Sequence, residues 1–259
     1  MSTATATPVV ELVNVTRRYG KNYAVRDASL AIHPGEVVGL VGDNGAGKST
    51  IVKMISGYIE PTAGTIKVRG APVRFGSPRQ ARAAGIETVY QDLAIVDEMA
   101  LWRNFFLGQE LHRRILGVRY LRVAEMARIC DEHLAEVGLT SVESSHQTAA
   151  TLSGGERQSL AISRAIHFDS QLLVLDEPVA ALSVRETRRV LEAIGAAKEN
   201  NLGVLYIDHN MDHVLPAADR IAIMHRGTIS RVVNRGDLTV DELADAVAES
   251  GTADAESGD

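Results

Sequence analysis

Cysteine, aromatic residues, long apolar runs and an excess of positive charge are all scarce in this chain, and each scarcity removes a class of protein. A single cysteine, Cys130, among 259 residues allows no internal disulfide and fits a reducing compartment. It sits in the amphipathic stretch Leu121–Val137 and reads as a half-buried helix residue rather than a redox centre. The longest apolar runs, such as Val37–Val41 and Leu172–Leu175, fall far short of the roughly 20 residues that span a bilayer, so no membrane span is expected. A formal net charge of -6 argues against a chain whose main business is coating nucleic acid. Residues 1–8 lack the charged and apolar regions of a secretory signal and are expected to be a flexible lead-in. Residues 248–259 are acidic and read as a disordered tail.

What remains is ordinary globular material, with 45% hydrophobic residues, enough to bury a sizeable core. Its most informative stretch is Gly42-Asp43-Asn44-Gly45-Ala46-Gly47-Lys48-Ser49-Thr50, directly behind the apolar run Val37–Val41. Glycines let the backbone turn tightly enough to aim N–H groups at a phosphate chain, Lys48 adds a point charge, and Ser49 can hold Mg²⁺. A helix from about Lys48 to Ser56 follows, whose N-terminal dipole also favours an anion. An ordinary Gly-rich turn is the alternative, and the order strand, loop, helix argues against it.

A second element is Leu172-Leu173-Val174-Leu175-Asp176-Glu177-Pro178, an apolar strand running into two acids. Such a strand can deliver Asp176 to a Mg²⁺ beside Ser49, and place Glu177 where it polarises a water attacking the terminal phosphate. Between the two lies Leu152-Ser153-Gly154-Gly155-Glu156, in which Ser153 is a good N-cap and the glycines free the backbone to meet another phosphate. A plain capped helix start explains that segment equally well.

Strand-like and helix-like segments alternate at both ends of the chain, including Gly203–Ile207 and Arg220–Met224. The block from about Leu101 to Ile166 reads as helical. This pattern predicts an α/β fold: a phosphate-loop NTPase core with a mostly parallel sheet, an antiparallel β subdomain that includes a hairpin at Thr65–Phe75, and a helical subdomain at about residues 92–167. The whole of residues 9–247 is then one domain.

The phosphate loop, Leu-Ser-Gly-Gly-Glu, the Leu-Asp-Glu-Pro strand and His209, in this order, resemble the ATPase subunit of an ATP-binding cassette (ABC) transporter over about residues 9–235. The resemblance implies ATP and Mg²⁺ as cofactors, with Gly42 to Thr50 and an adenine-stacking Tyr19 holding ATP; Tyr23 competes with Tyr19. It implies Ser49, Gln91 and Asp176 at the metal, and Glu177, His209 and Gln91 at the reacting phosphate. It further implies a nucleotide-sandwich homodimer in which Leu152, Ser153, Gly154, Gly155 and Glu156 of one copy face the nucleotide of the other. Its partners would be an integral membrane permease and, indirectly, an extracytoplasmic sugar-binding protein, with no nucleic acid. The place would be the cytoplasmic face of the bacterial plasma membrane.

Val38–Lys48, Gly85–Asp92 and Asp208–Met211 resemble bacterial monosaccharide-import ATPases, here with one cassette. A permease-docking groove would then involve Met99, Leu101, Trp102, Phe105 and Phe106, or those side chains pack inside the helical subdomain. ABC proteins of DNA repair or the ribosome share the same constellation; the short interval between Lys48 and Leu152 leaves no room for the coiled coils of the DNA-repair members, and the two cassettes and basic linkers usual in ribosome-acting members are not found in this sequence. A nucleotide sensor without turnover has no use for Glu177. Two positions depart from the family pattern: Ser183 stands where aspartate is usual, and Asp208 where serine is usual.

Overall fold

The computed structural model describes residues 7–90, 94–136, 139, 142–168, 170–180 and 182–249. Chain order runs β1 (Val10–Tyr19), β2 (Asn22–Ile32), β3 (Val37–Val41), α1 (Lys48–Ile55), β4 (Ala63–Val68), β5 (Ala71–Val73), α2 (Pro78–Ala83) and β6 (Ile86–Val89). It continues with α3 (Leu101–Phe105), β7 (His112–Ile115), β8 (Val118–Leu121), α4 (Val123–Glu136) and α5 (Gly154–His167). The last third holds β9 (Leu172–Asp176), α6 (Val184–Glu199), β10 (Gly203–Ile207), α7 (Met211–Ala217), β11 (Arg220–His225), β12 (Thr228–Asn234) and α8 (Val240–Glu249).

Six strands form the central sheet in the order β12-β11-β3-β10-β9-β6, parallel throughout except for the edge strand β12. Its inner strands are continuous apolar runs because both faces are covered: every residue of β3 and β10 is buried. One face packs on α1 and on a four-stranded antiparallel sheet, β2-β1-β4-β5, through a core that includes Val10, Leu40, Ile51 and Leu205. The other face packs on α6, α7 and α8 through residues such as Val41, Leu175, Ile194 and Tyr206.

A third core holds the helical subdomain together; it decides between the two readings of the apolar stripe, and one expectation changes. Leu101, Phe105 and Phe106 are fully buried, packed with Met126, Cys130 and Leu134 of α4. They are core residues, not docking residues. Phe105 and Phe106 lie against the Phe168 ring with centroids 6.0 and 5.5 Å apart, and Phe105 stacks on His133. Burial pushes the Cys130 thiol pKa up, so the lone cysteine is an inert apolar side chain. The block expected to be all helix also contains the antiparallel hairpin β7-β8, exposed at every residue of both strands.

Candidate functional site

The site lies at the carboxyl ends of the parallel strands, where open α/β sheets bind ligands. Register places Leu40 of β3 beside Ile207 of β10, and Ile207 beside Asp176 of β9. The loop after β3, the acids that end β9 and the histidine beyond β10 therefore share one edge. A cleft there is lined by Asn44 to Thr50, Asp176 and Glu177, with Ala24 at its wall.

The loop is built to hold an anion. Gly42 has a φ of 151°, and a side chain on it would collide with the Met224 carbonyl; Gly45 and Gly47 also have positive φ. Helix α1 starts at Lys48 with Gly47 as N-cap and no side-chain cap. Among the described residues, no acceptor meets the amide N–H groups of Gly45, Gly47, Lys48 or Ser49. Uncapped amides at a helix start, in a glycine cradle beside a lysine, are the donor set that a phosphate chain satisfies.

Lys48 is only 7% exposed and its Nζ donates to the carbonyls of Gly42 and, at 3.0 Å, Asp43. Burial lowers its pKa, and Glu177, Asp43, Asp176 and Asp208 work against that shift. Burial likewise raises the Asp176 carboxyl, with Glu177 adding to the rise and Lys48 and Lys53 opposing it. A hard divalent cation beside two carboxylates and the Ser49 hydroxyl suits this oxygen donor set.

Glu177 sits at φ 50°, a strained value for a non-glycine residue, fixed by its N–H donating to the Ile207 carbonyl at 2.8 Å. Its Oε1 lies 3.2 Å from His209 Nδ1, and the His209 side chain is 61% exposed, open to whatever enters the cleft. The acid before it has a separate task. Asp208, 3% exposed, accepts from the Tyr206 hydroxyl at 3.1 Å and the Asn210 N–H at 2.9 Å, and faces His213 Nδ1 at 3.3 Å. These contacts hold the turn after β10, and the Asp208 Oδ1 also lies 3.6 Å from His209 Nδ1. Buried Tyr206, which sequence reasoning passed over as one more strand residue, supplies the floor of that turn, and burial keeps its hydroxyl protonated. His213 is part of the same cluster.

Leu152, Ser153, Gly154, Gly155 and Glu156 do not line this cleft. Leu152 is buried in the helical subdomain. Ser153 caps α5 in a reciprocal pair with Glu156, which also meets Arg189 at 3.1 Å. A Cβ on Gly155 would come within 2.8 Å of the Glu186 Cβ, so this turn rests directly on the start of α6. Ser183 caps α6 with Glu186 in the same way, and its hydroxyl and amide hold the Glu186 carboxyl down at about 2.

Ser183→Ala is therefore expected to lower stability by about 1 kcal/mol. That is a fall in Tm of about 2–4 °C. Glu186 titrates below its unfolded value, so its contribution is present above the ordinary carboxylate range and is lost as pH falls toward 2. Acid unfolding curves should show that dependence in the wild type and a flatter one in the variant.

Tyr19 and Tyr23 lie at the β1-β2 turn, both exposed, each with an arginine (Arg17, Arg26) 4.7 Å over its ring. Neither reaches the cleft wall formed by Ala24. Gln91 lies outside the described residues.

A family model described as ABC transporter matches residues 25–180. The fructose import ATP-binding protein FrcA of Rhizobium meliloti is 43% identical over 93% of each chain. The xylose/arabinose import ATP-binding protein XylG of Sulfolobus acidocaldarius is 38% identical, covering 92% of this chain and 93% of its own. The ribose import ATP-binding protein RbsA 2 of Escherichia coli O157:H7 is 34% identical over 92% of this chain and 46% of its own. Among solved structures, a nucleotide-free ATP-binding cassette from an ABC transporter superposes with a TM-score of 0.79 at 21% identity, over 94% of this chain and 98% of that one. With the phosphate loop, Asp176, Glu177 and His209 on one sheet edge, this chain belongs to the ABC transporter ATP-binding family.

Proposed function

We propose that this chain is the ATP-hydrolysing subunit of an importer for a simple sugar, working as a head-to-tail homodimer beneath a membrane permease. The observation that carries the hydrolytic half is the meeting of Glu177 with His209 at the mouth of the phosphate-loop cleft. The sugar half rests on the relatives, which are named as fructose, xylose/arabinose and ribose import proteins. Among the described residues, no helix is long and apolar enough to cross a membrane, which suits a subunit held at the cytoplasmic face by a separate permease.

Magnesium-bound ATP supplies a γ-phosphoryl group whose charge the metal neutralises and whose leaving group is ADP. The amides of Gly45, Gly47, Lys48 and Ser49 and the Lys48 ammonium bind the β- and γ-phosphates, and Ser49 and Asp176 would hold the metal, joined by Gln91. Glu177 takes the proton of the attacking water on a carboxylate oxygen. His209 donates to the charge that develops on the γ-phosphate. Tyr19, with Tyr23 competing, is the adenine-stacking residue, and stacking requires its ring to leave its arginine and swing toward the Ala24 wall. Ser153, Gly154 and Gly155 of the second copy close over the phosphate; their remoteness from the cleft of their own chain supports that reading.

Docking falls to a groove between the helical subdomain and the sheet, lined by Tyr58, Tyr90, Ala94, Ile95, Asn104 and Arg164. Ala94 is exposed there, so Ala94→Glu should abolish stimulation by the permease while basal hydrolysis stays within about twofold. The decisive test is uptake of labelled fructose, xylose and ribose into proteoliposomes carrying this chain, its permease and its binding protein. ATP-dependent accumulation of one sugar, absent with Glu177→Gln, supports the reading. Full ATPase activity with no sugar accumulating overturns the cargo.

A further inference from the structure

The β7-β8 hairpin spends stability on a surface that nothing in the chain uses. Its two-residue turn, Leu116-Gly117, has φ values of 50° and 83°, the conformation for which Asn-Gly is the favoured pair. Leucine is a poor choice on two counts. It strains in the left-handed region, and at 100% exposure it puts its whole side chain in water. Ile115, Val118 and Tyr120 around it are 42%, 53% and 49% exposed, making this the densest group of exposed apolar side chains among the described residues.

Charge on the ribbon is equally one-sided. No acid occurs between Glu110 and Glu125, whereas Arg113, Arg114, Arg119 and Arg122 all do, in a protein of net charge -6. Arg122 pairs with Glu125; among the described residues no ion pair is made by Arg113, Arg114 or Arg119. Arg114 stands directly opposite Arg119 across the ladder, a like-charge pair that destabilises a hairpin in water. From the tip inward the order is Ile115-Leu116-Gly117-Val118, then the Arg114/Arg119 pair, then the Arg113/Tyr120 pair.

An apolar tip behind which lies a basic and aromatic collar is the layering of a membrane interface, hydrocarbon first and phosphate next. We propose that the β7-β8 hairpin is a lipid-contact element that inserts Leu116 into the interface of an anionic bilayer, with Arg113, Arg114 and Arg119 on the phosphates. A protein groove would take one face of the ribbon, and here both faces and the apolar tip are exposed, with arginines behind the tip on both strands. A lipid surface uses all of them, and each arginine near an anionic leaflet adds to binding. The inference holds whatever the cargo.

The test is sedimentation of the full chain with vesicles of phosphatidylcholine alone or with a quarter phosphatidylglycerol, at low and high salt. Vesicles contain no protein, so binding reports lipid contact alone. The wild type should bind the anionic vesicles at least about tenfold more tightly than the neutral ones, and less at high salt. Leu116→Asp and the double variant Arg114→Glu/Arg119→Glu should each reduce that binding about tenfold, with ATP hydrolysis in solution unchanged. Leu116 is fully exposed, so its replacement leaves the fold intact. Equal binding to both vesicle types, or unaltered binding by both variants, overturns the proposal and leaves the arginines as guards against edge pairing or a contact for protein.

Discussion

Glu177→Gln is expected to lower steady-state ATP hydrolysis about 10³-fold while the affinity for ATP stays within about threefold of wild type. General-base catalysis is worth roughly 10²–10⁴ in rate, and the amide keeps the shape of the side chain while losing the basic oxygen. Binding survives because the groups that hold the phosphates, the loop amides and Lys48, are untouched. ATP then stays intact between two copies, so the closed dimer should accumulate and be seen by light scattering with ATP and Mg²⁺. Lys48→Ala should do the reverse, weakening ATP binding itself. Wild-type-like turnover in Glu177→Gln would remove Glu177 from the role of base. The strained φ of 50° gives a second readout: restoring activity would require the carboxylate at this position, and Asp176 one residue earlier on the strand does not substitute for it.

Much of this site was legible because the residues that make it are short local patterns with a physical purpose. The loop from Gly42 to Thr50, the run Leu172 to Asp176 and the strand Gly203–Ile207 carry their identity in a few consecutive residues. The sheet order brings those patterns to one edge, and the alternation of strand and helix already pointed to a parallel sheet. What stayed hidden depends on partners distant in sequence. The spacing of Leu107, Leu111, Ile115, Val118 and Leu121 fits a helix as well as it fits anything, so the hairpin β7-β8 was invisible until the left-handed turn at Leu116-Gly117 was in view. Met99, Leu101, Trp102, Phe105 and Phe106 look alike as an apolar stripe. Only packing against α4 and Phe168 shows that Leu101, Phe105 and Phe106 are interior.

Both departures from the family pattern acquire a reason in three dimensions. Ser183 accepts the Glu186 N–H and donates its hydroxyl to the Glu186 carboxylate, which holds the start of α6 against Gly155. Asp208 accepts from Tyr206 and Asn210, faces His213, and has its Oδ1 3.6 Å from His209 Nδ1, so the turn that presents His209 is held by a buried carboxylate. Both side chains make local hydrogen bonds: Ser183 holds the start of α6, on which Gly155 rests, and Asp208 holds the turn that presents His209.

Asp176→Asn should separate stability from activity more sharply than any other change in the chain. Burial, then the neighbouring Glu177, raises the Asp176 pKa in the folded state above its unfolded value. The folded chain therefore binds that proton more tightly than the unfolded chain. Its ionised carboxylate costs stability at neutral pH, and the cost disappears as pH falls through the raised pKa toward the ordinary one. Asparagine removes the charge and keeps the shape. The nucleotide-free variant should therefore melt above the wild type, by an amount that solvent screening of this partly exposed group keeps small. In the proposed role of Asp176 the same change removes a metal ligand, so hydrolysis should fall about 10³-fold. Adding ATP and Mg²⁺ at a hundred times Kd stabilises the wild type by about 2.7 kcal/mol and the variant by much less. The order of the two melting curves should then invert: variant above wild type without nucleotide, wild type above variant with it. A variant that melts lower in both conditions would mean that Asp176 is held for structure and not for the metal.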